Sequence, residues 1–269
     1  MSEEGLFGQI KRFVVGEPIP SYLAHHERLS RSTGLAVLSS DALSSVAYAT
    51  EEVLRVLILV GIGALSVGTP IALVIAAILA VVVFSYRQTI YAYPTGGGAY
   101  IVAKDNLGET PALVAAMTSA FPGWHLSRVE MALGFVVITM LANLRGIRES
   151  GRIFALPTYF FVASLLTLIA VGAWRMLTGT VEPVQVVHPL QPTGETLTLF
   201  LLLTAFSNGC TAMTGVEAVS NGVPAFKPPE AKNAAATMLM MAALSITMFM
   251  GITLLAQMYH AIATCRVNS

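Results

Sequence analysis

Two acidic residues stand among side chains suited to binding an ion. Asp41 lies in the stretch Leu35-Ala-Val-Leu-Ser-Ser-Asp-Ala-Leu-Ser-Ser-Val-Ala-Tyr-Ala-Thr-Glu-Glu52, with Ser39, Ser40, Ser44, Ser45 and Tyr48 around it. Glu217 lies in Thr204-Ala-Phe-Ser-Asn-Gly-Cys-Thr-Ala-Met-Thr-Gly-Val-Glu-Ala-Val-Ser-Asn-Gly-Val-Pro224, flanked by Gly209, Gly215, Gly222 and Pro224. An acidic residue inside a membrane segment is costly and is by default a functional candidate. Carboxylates, hydroxyls and the carbonyls of an interrupted helix are hard oxygens that replace the hydration shell of a cation. Two blander readings compete with this one. The serines can bond their own backbone in a tight seam that the small residues Gly34, Ala36, Ala42, Ala47 and Ala49 permit. Glu217 can sit at a cytoplasmic helix end and reach water.

Other chemistries find little support. Tyr93-Pro-Thr-Gly-Gly-Gly-Ala-Tyr100 is glycine-rich but lacks the Lys-Ser/Thr of a phosphate-binding loop, and reads as a cytoplasmic re-entrant turn. His25, His26, His125, His188 and His260 have no metal-ligand spacing, and no Ser-His-Asp or Cys-His arrangement suggests catalysis. Cys210 and Cys265 make neither a disulfide framework nor a zinc site. No cofactor is expected, and no metal beyond a transported ion. With 15 basic and 15 acidic residues there is no basic surface for nucleic acid.

The elements that would hold these residues follow from the spacing of charge. Of 269 residues 55% are hydrophobic and 11% charged, against about 25% charged in a soluble domain. Intervals free of Asp, Glu, Lys and Arg run for 31 residues after Arg55, 22 after Arg152, 21 after Glu195 and 33 after Lys232. A helix needs about 20 apolar residues to cross a bilayer, so spans are expected near 70–91, 153–175, 197–219 and 234–257. Residues 35–60, which carry Asp41, Glu51, Glu52 and Arg55, and the shorter 129–144 are two more. The expected class is an all-α polytopic membrane protein. Residues 1–34 form a cytoplasmic segment. The membrane domain is 35–258, with about six full spans and a half-helix near 110–120, and 259–269 form a polar tail.

Basic residues then orient the spans. Lys11, Arg12, Arg28 and Arg31 keep the N-terminus cytoplasmic, and nothing there resembles a signal peptide. Lys104, the group Arg145, Arg148 and Arg152, and Lys227 with Lys232 mark further internal loops; 61–69 and 176–195 read as external. Two internal loops at Lys104 and Arg145 require an even number of crossings between them, yet Phe121-Pro122-Gly123 interrupts the only chain available. A half-helix hairpin, an inverted orientation downstream, or a deletion would resolve the conflict.

Leu38-Ser-Ser-Asp-Ala-Leu-Ser-Ser-Val-Ala-Tyr48, Ser85-Tyr-Arg-Gln-Thr-Ile-Tyr-Ala-Tyr-Pro-Thr-Gly-Gly-Gly-Ala-Tyr-Ile-Val102, Asn143-Leu-Arg-Gly-Ile-Arg-Glu-Ser150 and Thr214-Gly-Val-Glu-Ala-Val-Ser-Asn221 resemble the KimA-type branch of the KUP potassium uptake family. That family lies in the amino acid–polyamine–organocation (APC) superfamily, and the resemblance covers roughly 7–258. It implies a partial LeuT-like fold with broken first and sixth helices, and proton-coupled potassium symport by alternating access. It places Asp41, Tyr48, Thr214 and Glu217 on cation- or proton-handling positions. The implied setting is the plasma membrane, crossed several times, with the lipid bilayer, potassium and a proton as partners and a possible homodimer.

The chain departs from the family pattern twice. About twenty residues, one span's length, are lost between Ala116 and Thr118 in the third helix, and the chain stops after the seventh helix. It therefore reads as a shortened member. The alternatives are an amino acid permease of the same superfamily, whose substrate carboxylate an ionised Asp41 would repel, or a truncated membrane protein without transport activity.

Overall fold

The computed structural model describes residues 28–97, Asp105, 147–179 and 196–259. The first helix is in two pieces, α1 (Arg31–Leu38) and α2 (Ser40–Leu57), joined at Ser39. A 3-10 turn, Ile62–Val67, leads into α3 (Gly68–Ala92). Then come α4 (Ile147–Leu177), α5 (Leu199–Gly209) with a 3-10 tail Cys210–Met213, the short α6 (Ala218–Asn221), and α7 (Glu230–Met258). Side-chain caps start two of them. Ser30 Oγ accepts from the Thr33 amide at 3.2 Å, and Thr198 Oγ1 from the Leu201 amide at 3.3 Å, satisfying donors that a helix start leaves open.

Among the described residues four stretches are long and apolar enough to cross a bilayer: Gly63–Ala92, Ala155–Leu177, Leu199–Asn221 and Glu230–Met258. These are the four segments that the charge-free intervals mark. The outer surface agrees with a lipid setting. Leu156, Phe160, Leu177 and Phe200 are each at least 75% exposed, an apolar covering that water would not tolerate but hydrocarbon does. The fifth segment, α1–α2, shields its charges locally. Arg55 lies one turn from Glu51 and Glu52 and bonds both, at 2.7 and 3.0 Å. Of the methionines on α7, Met238, Met241 and Met248 are buried while Met240 is exposed, so they divide between packing and lipid.

Contacts along the helices fix their directions. Thr50 and Thr253 share a hydrogen bond of 2.8 Å between α2 and α7, and Thr237 approaches the Arg31 carbonyl at 3.5 Å lower down, so the two run parallel. Tyr159 and Thr158 of α4 donate to the carbonyls of Ser32 and Ala36 at 2.8 and 3.2 Å, near where α1 and α7 begin. Gln257 at the far end of α7 donates to the Leu65 carbonyl beside the start of α3 at 3.1 Å, making α3 antiparallel to α7. Thus α3 ends and α4 starts at the same end of the bundle. By these contacts α4 is not inverted relative to α3 and α7. Whether a half-helix or a deletion resolves the crossing conflict lies in 98–146, outside the described residues apart from Asp105. The expected span 129–144, the half-helix, the five histidines, the tail beyond Tyr259 and the segment 1–27 lie outside them as well.

At that shared end the chain is stapled. Leu29 pairs in parallel with Phe226: its amide donates to the Ala225 carbonyl at 2.7 Å, and its carbonyl accepts from the Lys227 amide at 3.0 Å. The Phe226 ring is fully buried against Gly34, where an added Cβ would lie 2.4 Å from the ring. Arg28 pairs with Glu230, and Arg31 donates to Asn233 at 2.7 Å. The ring fills a space that only a residue without a side chain leaves open. Phe226→Ala should therefore lower stability by about 3 kcal/mol, read as an earlier unfolding transition of the purified protein in detergent.

Candidate functional site

The first helix breaks because Ser39 leaves the helical conformation (φ −112°, ψ 2°), while the Leu43 amide restarts the ladder on the Ser39 carbonyl at 2.9 Å. The sixth breaks because Thr214 is extended (φ −65°, ψ 146°) and Gly215 takes a left-handed φ of 76°. In a low-dielectric interior such a break is tolerated only where its polar groups find partners. Here the backbone partners are local, with the Thr214 amide on the Thr211 carbonyl at 3.1 Å and the Ala218 amide on the Gly215 carbonyl at 3.2 Å, and the two breaks pack against one another. Gly215 lies against the first turn of α2, where a Cβ would fall 2.6 Å from Asp41 Oδ2 and 3.0 Å from the Ala42 amide nitrogen. Glycine is required there twice over, for its φ and for its lack of bulk.

Above this contact runs a chain of hydroxyls. Tyr48 donates to Ser45 Oγ at 3.2 Å, Ser45 Oγ faces Thr214 Oγ1 at 2.7 Å, and Thr214 Oγ1 reaches the Thr211 carbonyl at 2.9 Å. Ser45 Oγ also contacts the Asp41 carbonyl at 2.8 Å, and Ser44 bonds the same carbonyl at 2.9 Å. Helical spacing explains the alignment, since residues three and four apart share a face and Asp41, Ser45 and Tyr48 follow that interval. A proton count is informative. Tyr48, Ser45 and Thr214 have three hydroxyl protons between them for four contacts, so one contact always presents oxygen lone pairs without a proton. The contact without a proton leaves oxygen lone pairs that either a cation or a further donor could use.

Of the expected residues, Asp41, Tyr48 and Thr214 are thus brought together at the paired breaks, all three accessible, while Ser45 is buried between them. Glu217 stands apart. It caps α6 and accepts the Asn221 amide on its carbonyl at 2.9 Å. It is near enough to the Tyr86 phenol of α3 to act on it electrostatically, and among the described residues no hydrogen bond joins it to the hydroxyl chain. Ser45 was visible in the sequence as one of five hydroxyls around Asp41, and its interval of four from Asp41 and three from Tyr48 distinguishes it. The closeness of Gly215 to Asp41 has no sequence signal, because the two are joined only by folding. Among the described residues no His, Cys, Asp and Glu group could hold a resident metal.

Two interrupted helices lying side by side, with oxygens gathered at their breaks, fit a partial polytopic membrane fold of the APC type. The amino acid permease family matches residues 112–267, and the chain belongs to that family. It is also 46% identical, over 275 aligned residues, to the potassium transporter KimA of Bacillus subtilis (strain 168), an alignment covering 94% of this chain and 45% of that protein. The chain therefore spans about half the length of the curated relative it matches.

Because the Gly215 position admits no side chain, Gly215→Ala should separate the two breaks. Thermal unfolding in detergent should fall as it would for a loss of about 1–3 kcal/mol, whereas Gly63→Ala, at an open position in the 3-10 turn, should leave it unchanged.

Proposed function

We propose that the chain forms the ion-handling part of a proton-coupled potassium symporter in the plasma membrane, with its N-terminus in the cytoplasm. The observation that carries this reading is the gathering of oxygens where the two helix breaks meet: the Tyr48, Ser45 and Thr214 hydroxyls, the Asp41 backbone carbonyl, and the Asp41 carboxylate against Gly215. A potassium ion surrenders its water only to several such oxygens. The relative's described activity, potassium transport, supports the choice of ion. The stapled end bears Arg28, Arg31, Lys227 and Lys232, which supports its assignment to the cytoplasm. Asp41 and Glu217 are the carboxylates available to carry the coupled proton: Asp41 next to the ion, Glu217 some three residues further along, beside Tyr86.

A second reading, amino acid permeation, draws on the family to which the chain belongs. A substrate carboxylate would be expected to dock on the free amides of a half-helix N-terminus. At α2 that position already has Asp41 in its first turn, whose negative charge opposes a second anion.

Potassium uptake into a deficient host or into reconstituted vesicles separates these readings, comparing this chain with a version extended to the relative's length. Asp41→Asn should weaken uptake at limiting potassium about tenfold or more, the equivalent of about 1.5–3 kcal/mol for a charged contact. Ser45→Ala should weaken it about fivefold, for the loss of about 1 kcal/mol. If both Asp41→Asn and Glu217→Gln left proton-coupled uptake intact in the extended version, the assignment would be wrong. Uptake inhibited by amino acids and indifferent to potassium would favour the second reading.

A further inference from the structure

The end of the bundle opposite the staple holds a cavity of about 440 Å³ between α4 and α7, within the range of about 300–1,000 Å³ typical of ligand pockets. Leu168, Val171 and Arg175 line it from α4, and Leu255, Ala256 and Tyr259 from α7. On each helix these residues recur at three- and four-residue intervals, so each helix gives the cavity one stripe. The walls are apolar along their length, and polarity is confined to the end where Arg175 and Tyr259 stand. The Tyr259 hydroxyl donates to the Gly172 carbonyl at 3.0 Å, pinning the helices together just there. Only 6% of the spanning stretch of α4 is buried among the described residues, an exposure that suits contact with lipid. Trp174, beside Arg175, is 68% exposed. A tryptophan and a tyrosine at matching helix ends mark the level of the lipid headgroups.

We propose that this cavity is a binding site for an anionic phospholipid of the phosphatidylglycerol type. One acyl chain lies between Leu168, Val171 and Leu255, and the phosphodiester is held by Arg175 with Tyr259 at its side. Charge complementarity selects the occupant. An apolar trough that faces the membrane takes an acyl chain in preference to water, and a guanidinium at headgroup depth favours a phosphate without a neighbouring positive group over a zwitterionic choline headgroup. With five N–H donors Arg175 serves a phosphate while keeping another partner. The site is separate from the helix breaks, and the proposal does not depend on which ion the protein carries.

Native mass spectrometry and thermal unfolding of the full chain in detergent, with phosphatidylglycerol or phosphatidylcholine of equal chain length added, test it. Phosphatidylglycerol should bind at least tenfold more tightly and raise the unfolding temperature, and inorganic phosphate alone should do neither. Arg175→Gln should abolish the preference while the acyl chains of both lipids still bind; Arg175→Lys should retain part of it. Ala256→Phe, which fills the trough, should reduce binding of both lipids. Equal binding of the two lipids by the unaltered chain would overturn the proposal. So would a preference that survives Arg175→Gln and Ala256→Phe undiminished, or a response to inorganic phosphate equal to that of the lipid.

Discussion

The two helix breaks pack against each other, and much of the described structure is arranged around that contact. A helix interrupted inside hydrocarbon must find partners for its amides and carbonyls, and here neighbouring turns supply them. The interruption at Ser39 and the one at Thr214-Gly215 lie side by side, so that the first turn of α2 meets the left-handed glycine of the other break. The helices flanking the breaks are bound on either side: Thr50 to Thr253 on α7, and Phe226 into the notch at Gly34. These contacts tie the flanking helices into one group. The group is therefore suited to keep its internal arrangement while the contents of the site change.

The site uses this arrangement economically. Hydroxyls that in an unbroken helix would fold back on their own backbone do so only in part. Ser44 bonds the Asp41 carbonyl, whereas Ser45 is shared among Asp41, Tyr48 and Thr214. The bland reading thus describes Ser44, whereas Ser45 bonds across to the other break. Ser39, at the break itself, and Ser245 of α7 have buried hydroxyls with no hydrogen-bond partner among the described residues, an unusual cost in a core. Glu217 sits beyond the break at Thr214-Gly215, toward Tyr86, and so apart from Asp41 and the hydroxyl chain.

Much of this was legible in the sequence. The intervals without charge located all four apolar crossings, because excluding Asp, Glu, Lys and Arg from hydrocarbon is a strong and local constraint. The motifs around Asp41 and Thr214 identified the family, and glycine beside threonine in Thr214-Gly215 marked a break. Asp41, Tyr48 and Thr214 were recovered as neighbours, although only the interval from Asp41 to Tyr48 could be read from helical periodicity; Thr214 was joined to them through the resemblance.

What the sequence determined by itself was which segments enter the membrane, in what alternation, and which few polar residues enter with them. Each is a property of a single segment against a uniform solvent. What the tertiary structure decided was which hydroxyls bond one another, why Gly215 must lack a side chain, which glutamate lies apart, and where α4 and α7 leave a trough. These depend on atoms well over a hundred residues apart in the chain, such as Ser45 and Thr214, and on how closely two backbones approach. No local pattern encodes that distance; packing of the whole bundle sets it.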